Sequence, residues 1–328
     1  MVDNSSTNTT SEKMFLDEIS SWLWKVLAPI IFSFGIIGNI LIVFILIKME
    51  FWKKLTYTLI LVLAISDMMV LVSGLCRRFI LEIFEFDIRT ISNIGCKFSL
   101  FFVYFSMHIS SWTLVCLSTE RFIRVKFPLK FLAGNISTKL ILSYVIICVL
   151  FVLLDSHFFW TNSLVISGNS KHCNNTSENY FQFEERYFSI VDMLVLSVIP
   201  CVLIFPMNIS FWIVLRKSRK FRLNNMQRNM RNVRLGKNKF DERGKTLTTM
   251  MFLTSIYFLG ATLPISVLFI VDSYIRQDLL TSFMVSKLNF ATSLFYLLQY
   301  TNYSVNFFIY ITINRQFRKW LPFHTLLR

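Results

Sequence analysis

Asp67 stands alone in the otherwise uncharged run Leu55–Cys76. An isolated ionised carboxylate in hydrocarbon costs several kcal/mol, so it must be paired, solvated or neutral. Asn39, Ser110, Asn302 and Asn306 are polar positions in three other apolar runs that could meet it. Glu120 and Arg121 close the uncharged run Phe98–Thr119, where the simplest reading is a helix-end ion pair with a snorkelling arginine. His108 and His157 are single histidines without the His, Glu or Asp spacing of a metal site, and read as hydrogen-bonded residues between helices. With no metal spacing around these histidines, an enzyme is not expected. Of the six cysteines, Cys116, Cys148 and Cys201 lie within apolar runs and read as small apolar residues. Cys96 and Cys173 are candidates for a disulfide on an oxidising side, with Cys76 as the alternative partner of either.

These residues need helices in lipid to hold them. Hydrophobic residues make up 54% of the 328 and charged residues only 16%, too few to wet a soluble surface of this size. A bilayer core takes about 20 apolar residues in a helix. Val26–Ile47, Leu55–Cys76, Phe98–Thr119, Met193–Leu215, Thr246–Val271 and Leu288–Asn314 meet that length, and Leu140–Leu154 does so when extended through Asp155 towards Trp160. The fold class is therefore an all-α membrane protein, a seven-transmembrane helix bundle. Its expected parts are an extracellular, glycosylated tail over 1–25, the bundle over 26–313, and a short amphipathic eighth helix with a cytoplasmic tail over 314–328.

Basic residues set the orientation. With the N-terminus outside, inner segments carry 24 Lys and Arg and outer segments 10, which gives +20 inside and −4 outside. The net +15 is thus a topology signal, and nucleic acid is excluded as a partner because the charges sit between spans. Residues 1–21 hold no apolar core of signal-peptide length, so the first span is expected to insert as a signal anchor. Asn4, Asn8, Asn174 and Asn175 head sequons that fall outside and are the expected glycosylation sites; Asn135, Asn208 and Asn302 fall inside or within the membrane.

The run Glu120-Arg121-Phe122 with Pro128-Leu129 resembles the Asp/Glu-Arg-Tyr motif of rhodopsin-like G-protein-coupled receptors. So do Gly38-Asn39, Leu63-Ala64-Ile65-Ser66-Asp67, Pro200, Pro264, Asn306-Phe307-Phe308-Ile309-Tyr310 and Arg315-Gln316-Phe317-Arg318, each in family order over about residues 25–322. The chain departs from that pattern at Phe122, Phe307, Asn208 and Thr262, and its fourth span lacks the usual tryptophan; these changes bear on the activation relay. Asp155–Thr161 and Tyr300–Ser304 are similar to invertebrate neuropeptide receptors of the FMRFamide type.

The resemblance implies a plasma-membrane receptor for an extracellular ligand that acts on a heterotrimeric G protein. Glu120, Arg121, Asn306 and Tyr310 would form the coupling switch, as the inner ends of helices 5 and 6 move from helix 3. Asp67, Ser110, Asn302, Asn306 and Asn39 would form a polar pocket able to hold Na⁺; the alternative is a protonated Asp67 in a hydrogen-bond network, and no other cofactor is implied. For the ligand, Asp155, Glu184, Glu185, Asp192 and Asp272 lie near the outer ends of spans, with Phe158, Phe159, Trp160 and Phe295 as aromatic contacts. That set suits a short, basic, amidated peptide. An amine receptor would carry an Asp where Val103 stands, and a lipid ligand would need no acidic rim. A transporter would show repeated halves, and a retinal pump needs a lysine where Tyr300 stands.

Overall fold

Among the described residues the charge-free runs fold into seven long helices. The structure, a computed structural model, describes residues 3–127, 131, 135–168, 170–228, 237–275 and 282–321; the side chains of 3–10, 53, 135, 167, 214–245 and 270–282 lie outside that description. The helices are α1 (Asp3–Lys48), α2 (Leu55–Phe84), α3 (Asn93–Lys126), α4 (Asn135–Asp155, with a further turn Phe158–Thr161), α5 (178–228), α6 (Lys237–Ile275), α7 (Ser282–Ile313) and the short α8 (Arg315–Lys319). One antiparallel hairpin, β1 (Asn162–Ser167) and β2 (Ser170–Asn175), joins α4 to α5.

Six helices among the described residues are long and apolar enough to cross a membrane. The seventh, α7, is less apolar because it turns Gln299, Asn302, Ser304 and Asn306 into the bundle, where all four are buried. On α4, Leu142, Val145, Val149 and Leu153 recur at helical spacing and are all exposed, the pattern of a lipid-facing stripe. Inside, Gly38 lets α1 approach α7, since a Cβ there would sit 2.9 Å from the Cβ of Phe307. Gly74 does the same for α2, where a Cβ would meet the Tyr300 hydroxyl at 2.7 Å.

The first helix starts well ahead of Val26. Residues 3–25, expected as a tail, are helical because no glycine or proline precedes Pro29 to interrupt the ladder. Trp24 is buried and meets the Tyr300 ring edge-on at 6.3 Å, which ties that extension to the bundle. At the other end, Asn314 caps α8 by accepting from the Gln316 amide at 2.9 Å. Phe317 is fully buried against Tyr310, while Arg318 donates to the Ile311 and Thr312 carbonyls that end α7. Residues 322–328 of the expected tail lie outside the described residues.

In α5, a π-turn at Leu194–Val198 immediately precedes Pro200. Proline cannot donate to the preceding turn, and one extra residue there relieves the clash. The turn leaves carbonyls looking for donors, and α3 supplies them: Ser111 Oγ donates to Leu196 O at 2.7 Å and Trp112 Nε1 to Val195 O at 2.9 Å. This seam fixes the height of α5 against α3, and so the height of Asp192 one turn above.

Cys96 at the head of α3 is bonded to Cys173 on β2, with 5.5 Å between the Cα atoms, and Cys76 is free. Asn93 Oδ1 accepts from the Leu164 amide at 3.1 Å, so both hairpin strands are held to the same helix end. Cys173→Ala is expected to destabilise the chain by about 2–4 kcal/mol. Non-reducing digestion with mass spectrometry should find this pair alone and alkylated Cys76, and thermal unfolding should report the loss.

Candidate functional site

The half of the bundle that carries the disulfide, outer by the orientation expected from charge, opens into a cavity of about 830 Å³. Side chains from every long helix except the Asn135–Asp155 stretch of α4 line it, together with Asn175 of the hairpin. Aromatic groups form its floor: Tyr104 stacks on Phe158 at 4.8 Å, and Phe188 meets both edge-on. The α5 wall is acidic, with Glu184, Glu185 and Asp192 facing the space. Glu184 accepts from Thr161 Oγ1 at 2.7 Å and from Asn162 Nδ2, which orients it without neutralising it. Among the described residues no lysine or arginine pairs with Glu184 or Glu185.

The opposite wall carries arginines, which the outer acidic surplus concealed. Arg77, Arg78 and Arg89 all line the cavity. Arg77 and Arg89 share Asp87, at 3.2 and 2.6 Å. Partial burial disfavours ionisation of Asp87, but the bonds from Arg89 and the charge of Arg77 outweigh it and hold this carboxyl below the usual carboxylate range. That tie is therefore present above the ordinary carboxylate pKa and lost only as pH falls through the lower native value. Arg78 lies 3.8 Å from Glu82 and over the Trp24 ring at 5.3 Å. The signal for these residues was an Arg-Arg pair at the outer end of a span, where basic residues are scarce.

Other expected ligand contacts fall elsewhere. Trp160 is 57% exposed, and neither it nor Phe295 is among the lining residues. Of the aromatic residues expected on that short turn, Phe158 does line the cavity and Phe159 does not. Asp155 is fully buried behind the wall, and the Asp272 side chain lies outside the described residues. Of the sequons, Asn174 is exposed, whereas Asn175 faces the cavity with its amide nitrogen buried; the side chains of Asn4 and Asn8 lie outside the described residues.

Halfway down, Asp67 is fully buried and accepts from Ser110 Oγ at 2.6 Å and Asn306 Nδ2 at 2.7 Å. Asn39 turns instead to the Tyr303 carbonyl at 2.9 Å, so it braces α1 against α7 rather than joining the carboxylate. Asn302 and Asn306 each leave a buried amide oxygen without a hydrogen-bond partner. The Asp67 carboxylate, the Ser110 hydroxyl and these two free amide oxygens are the hard oxygen groups that a small cation would use.

At the inner end Arg121 is 3% exposed. Its Nε lies 3.1 Å from Glu120 Oε2, and its Nη2 donates to Thr56 Oγ1 of α2. Thr56 in turn donates to Glu120 Oε1 at 3.0 Å, and Arg124 Nε donates to the same oxygen at 3.0 Å. Thr56 thus closes a ring that no spacing rule identifies. Tyr310 is buried nearby on α7, its ring edge-on to Phe317 at 5.6 Å, while Asn306 is engaged by Asp67 higher up.

Seven helices, a staple over an outer cavity and a buried arginine at the inner end define a seven-helix receptor of the membrane. The chain belongs to the rhodopsin family of seven-transmembrane receptors, whose model matches residues 38–310. It is a multi-pass membrane protein of a receptor family, not an enzyme family. It is 30% identical over 113 residues to the cholecystokinin receptor of Xenopus laevis, which covers 34% of this chain and 24% of that protein. It is 27% identical over 183 residues to the thyrotropin-releasing hormone receptor of Mus musculus, covering 53% of this chain and 46% of that one, and 26% identical over the same length to the Homo sapiens receptor of that name. The matched stretches span less than half the length of these relatives.

Proposed function

We propose that this chain is a plasma-membrane receptor with its N-terminus outside, which binds a short peptide in the outer cavity and activates a heterotrimeric G protein inside. The observation that carries this reading is the stapled cavity of about 830 Å³ whose α5 wall carries Glu184 and Glu185, paired with no lysine or arginine among the described residues. Its size and charge suit a cationic peptide rather than a lipid or a small amine, and Val103 leaves α3 without the acid an amine would need. The relatives named for peptide hormones support the same ligand class. An FMRFamide-type ligand is the finer assignment, and only the Asp155–Thr161 and Tyr300–Ser304 segments support it. Binding would favour a conformer in which the inner ends of α5 and α6 leave α3 and free Arg121 from its ring with Thr56 and Glu120. A neuropeptide library applied to cells expressing the chain, read as calcium and cyclic-AMP responses, tests this. Silence across the library, with transport of a solute or a light response, would overturn it.

The Asp67 pocket would tie sodium to that equilibrium. A cation held by Asp67, Ser110 and Asn306 would favour the closed conformer, so sodium should lower agonist affinity and agonist should lower sodium affinity by the same factor. Agonist binding titrated in sodium against a bulky organic cation should show a shift that Asp67→Asn removes. A sodium effect unchanged in Asp67→Asn would refute the assignment.

A further inference from the structure

His108 sits between two carboxylates contributed by different helices. Its Nδ1 lies 3.1 Å from Asp155 Oδ2 on α4, and its Nε2 lies 3.1 Å from Asp192 Oδ1 on α5. His108 and Asp155 are fully buried, whereas the Asp192 side chain keeps 18% of its surface and lines the cavity. Phe151 stacks on the imidazole at 5.0 Å and 21°, which sets the ring plane. The seam of Ser111 and Trp112 to the π-turn below holds Asp192 at the height of the ring. Three helices therefore converge on one side chain.

The proton count follows from this geometry. A neutral imidazole has one N–H and one lone pair, and a lone pair facing a carboxylate is repulsive. Both nitrogens face carboxylates, so each contact needs a proton, and a doubly protonated ring is the state in which both carboxylates stay ionised. One imidazolium between two carboxylates leaves the group with a single net negative charge, and Asp192 is its only outlet to the cavity. The Nε2–H is not aimed squarely at Asp192 Oδ1, and both atoms lack a hydrogen bond of good geometry. His108 Nδ1 engages Asp155 Oδ2 within the wall and leaves the buried Asp155 Oδ1 without a hydrogen bond, while Asp192 is held near by charge, short of a partner and open to the cavity. Tyr104, His157, Tyr296 and Tyr303 are other titratable groups close enough to interact with the cluster.

We infer that Asp155 and His108 are positioning residues that present Asp192 as a subsite for one monovalent organic cation, a guanidinium or a primary ammonium, in the wall of the cavity. The inference rests on the receptor reading above and names the part of the ligand that goes deepest on α5. Without His108, two acids a few ångströms apart would force one another to take up a proton. Without Asp155, the imidazolium would neutralise Asp192 and a cation could bind only by expelling a proton. Asp155 thereby affects a cation it never touches.

The test needs no knowledge of the natural ligand. The purified receptor is unfolded thermally in increasing L-argininamide, with L-citrullinamide, which has the same shape without the charge, as control. Argininamide should raise the melting temperature saturably and citrullinamide should not. Asp192→Asn should abolish the rise, and Asp155→Asn should raise the half-saturating concentration at least about tenfold. Nitrogen-15 spectra of the wild-type receptor should show both His108 ring nitrogens protonated, a signature that does not depend on any variant folding. Equal shifts with both amides, no shift at all, an unprotonated His108 nitrogen, or an unaltered response in Asp155→Asn would each overturn the subsite. A successful peptide screen beside a failed argininamide response would leave the receptor standing and remove only this inference.

Discussion

Arg121→Ala is expected to reduce agonist-driven G-protein activation at least about a hundredfold, roughly 2.7 kcal/mol, while the receptor still reaches the cell surface and binds ligand. The guanidinium is buried and held by Thr56 and Glu120. Its removal takes the ion pair from Glu120 Oε2 but leaves Oε1 with two donors, Thr56 and Arg124, so the carboxylate keeps partners and the fold should survive. The cavity is at the opposite end of α3, beyond direct reach of the substitution. What is lost is the cation that an open inner face would offer to a helix of the G protein in a groove. If Arg121 were a structural ion pair only, Arg121→Ala would lower expression and leave signalling per receptor intact. Surface labelling beside the signalling assay separates the two.

Reversing the acidic wall should have the second largest effect. Glu185→Lys and Asp192→Lys are each expected to weaken a cationic peptide at least about tenfold, or 1.4 kcal/mol, if either pairs with it directly. Asp192→Lys should be the more damaging, because the new ammonium would face His108 as well as the ligand. Both substitutions should slow association at low salt more than at high salt, as exposed charges steer approach. Potency unchanged in both variants and in Asp155→Asn would mean that the ligand makes no use of the acidic wall. The arginines of the facing wall bear on the ligand's other end: Arg77 and Arg89 share one carboxylate, so a peptide with only basic groups would meet opposition there.

The spans were legible because lipid forbids charge, whereas a soluble helix of that length needs a charged face towards water. Their ends were not. Residues 3–25 lack an apolar run and read as a tail, yet nothing in them breaks a helix and Trp24 anchors them. The hairpin at 162–175 is mostly exposed, and its one apolar run, Leu164–Ile166, does not alternate, so no core pattern reveals it. The π-turns of α2 and α5 leave no residue signature beyond Pro200. For the sites, Asp67 was conspicuous because a lone acid in hydrocarbon needs partners, and Ser110 and Asn306 meet it; Asn39 does not, because α1 crosses nearer the Tyr303 carbonyl. Trp160 and Phe295 were expected at the ligand because aromatic residues at outer helix ends suit either lipid or ligand, and the rotation of the helix decides which. His108 was read as an ordinary bundle histidine. Only the packing of α3, α4 and α5 brings two acids, 37 residues apart in the chain, to its two nitrogens.

The central claim is that a ligand at the outer cavity opens the inner face to a G protein. Nucleotide exchange on a heterotrimeric G protein measures that step directly, in membranes containing this chain and challenged with short amidated peptides that carry an arginine or lysine. At least one such peptide should stimulate exchange, its citrulline or neutral counterpart should be much weaker, and Arg121→Ala membranes should stay silent while binding the same peptide. Exchange that no peptide stimulates, or that persists undiminished in Arg121→Ala, would contradict the claim.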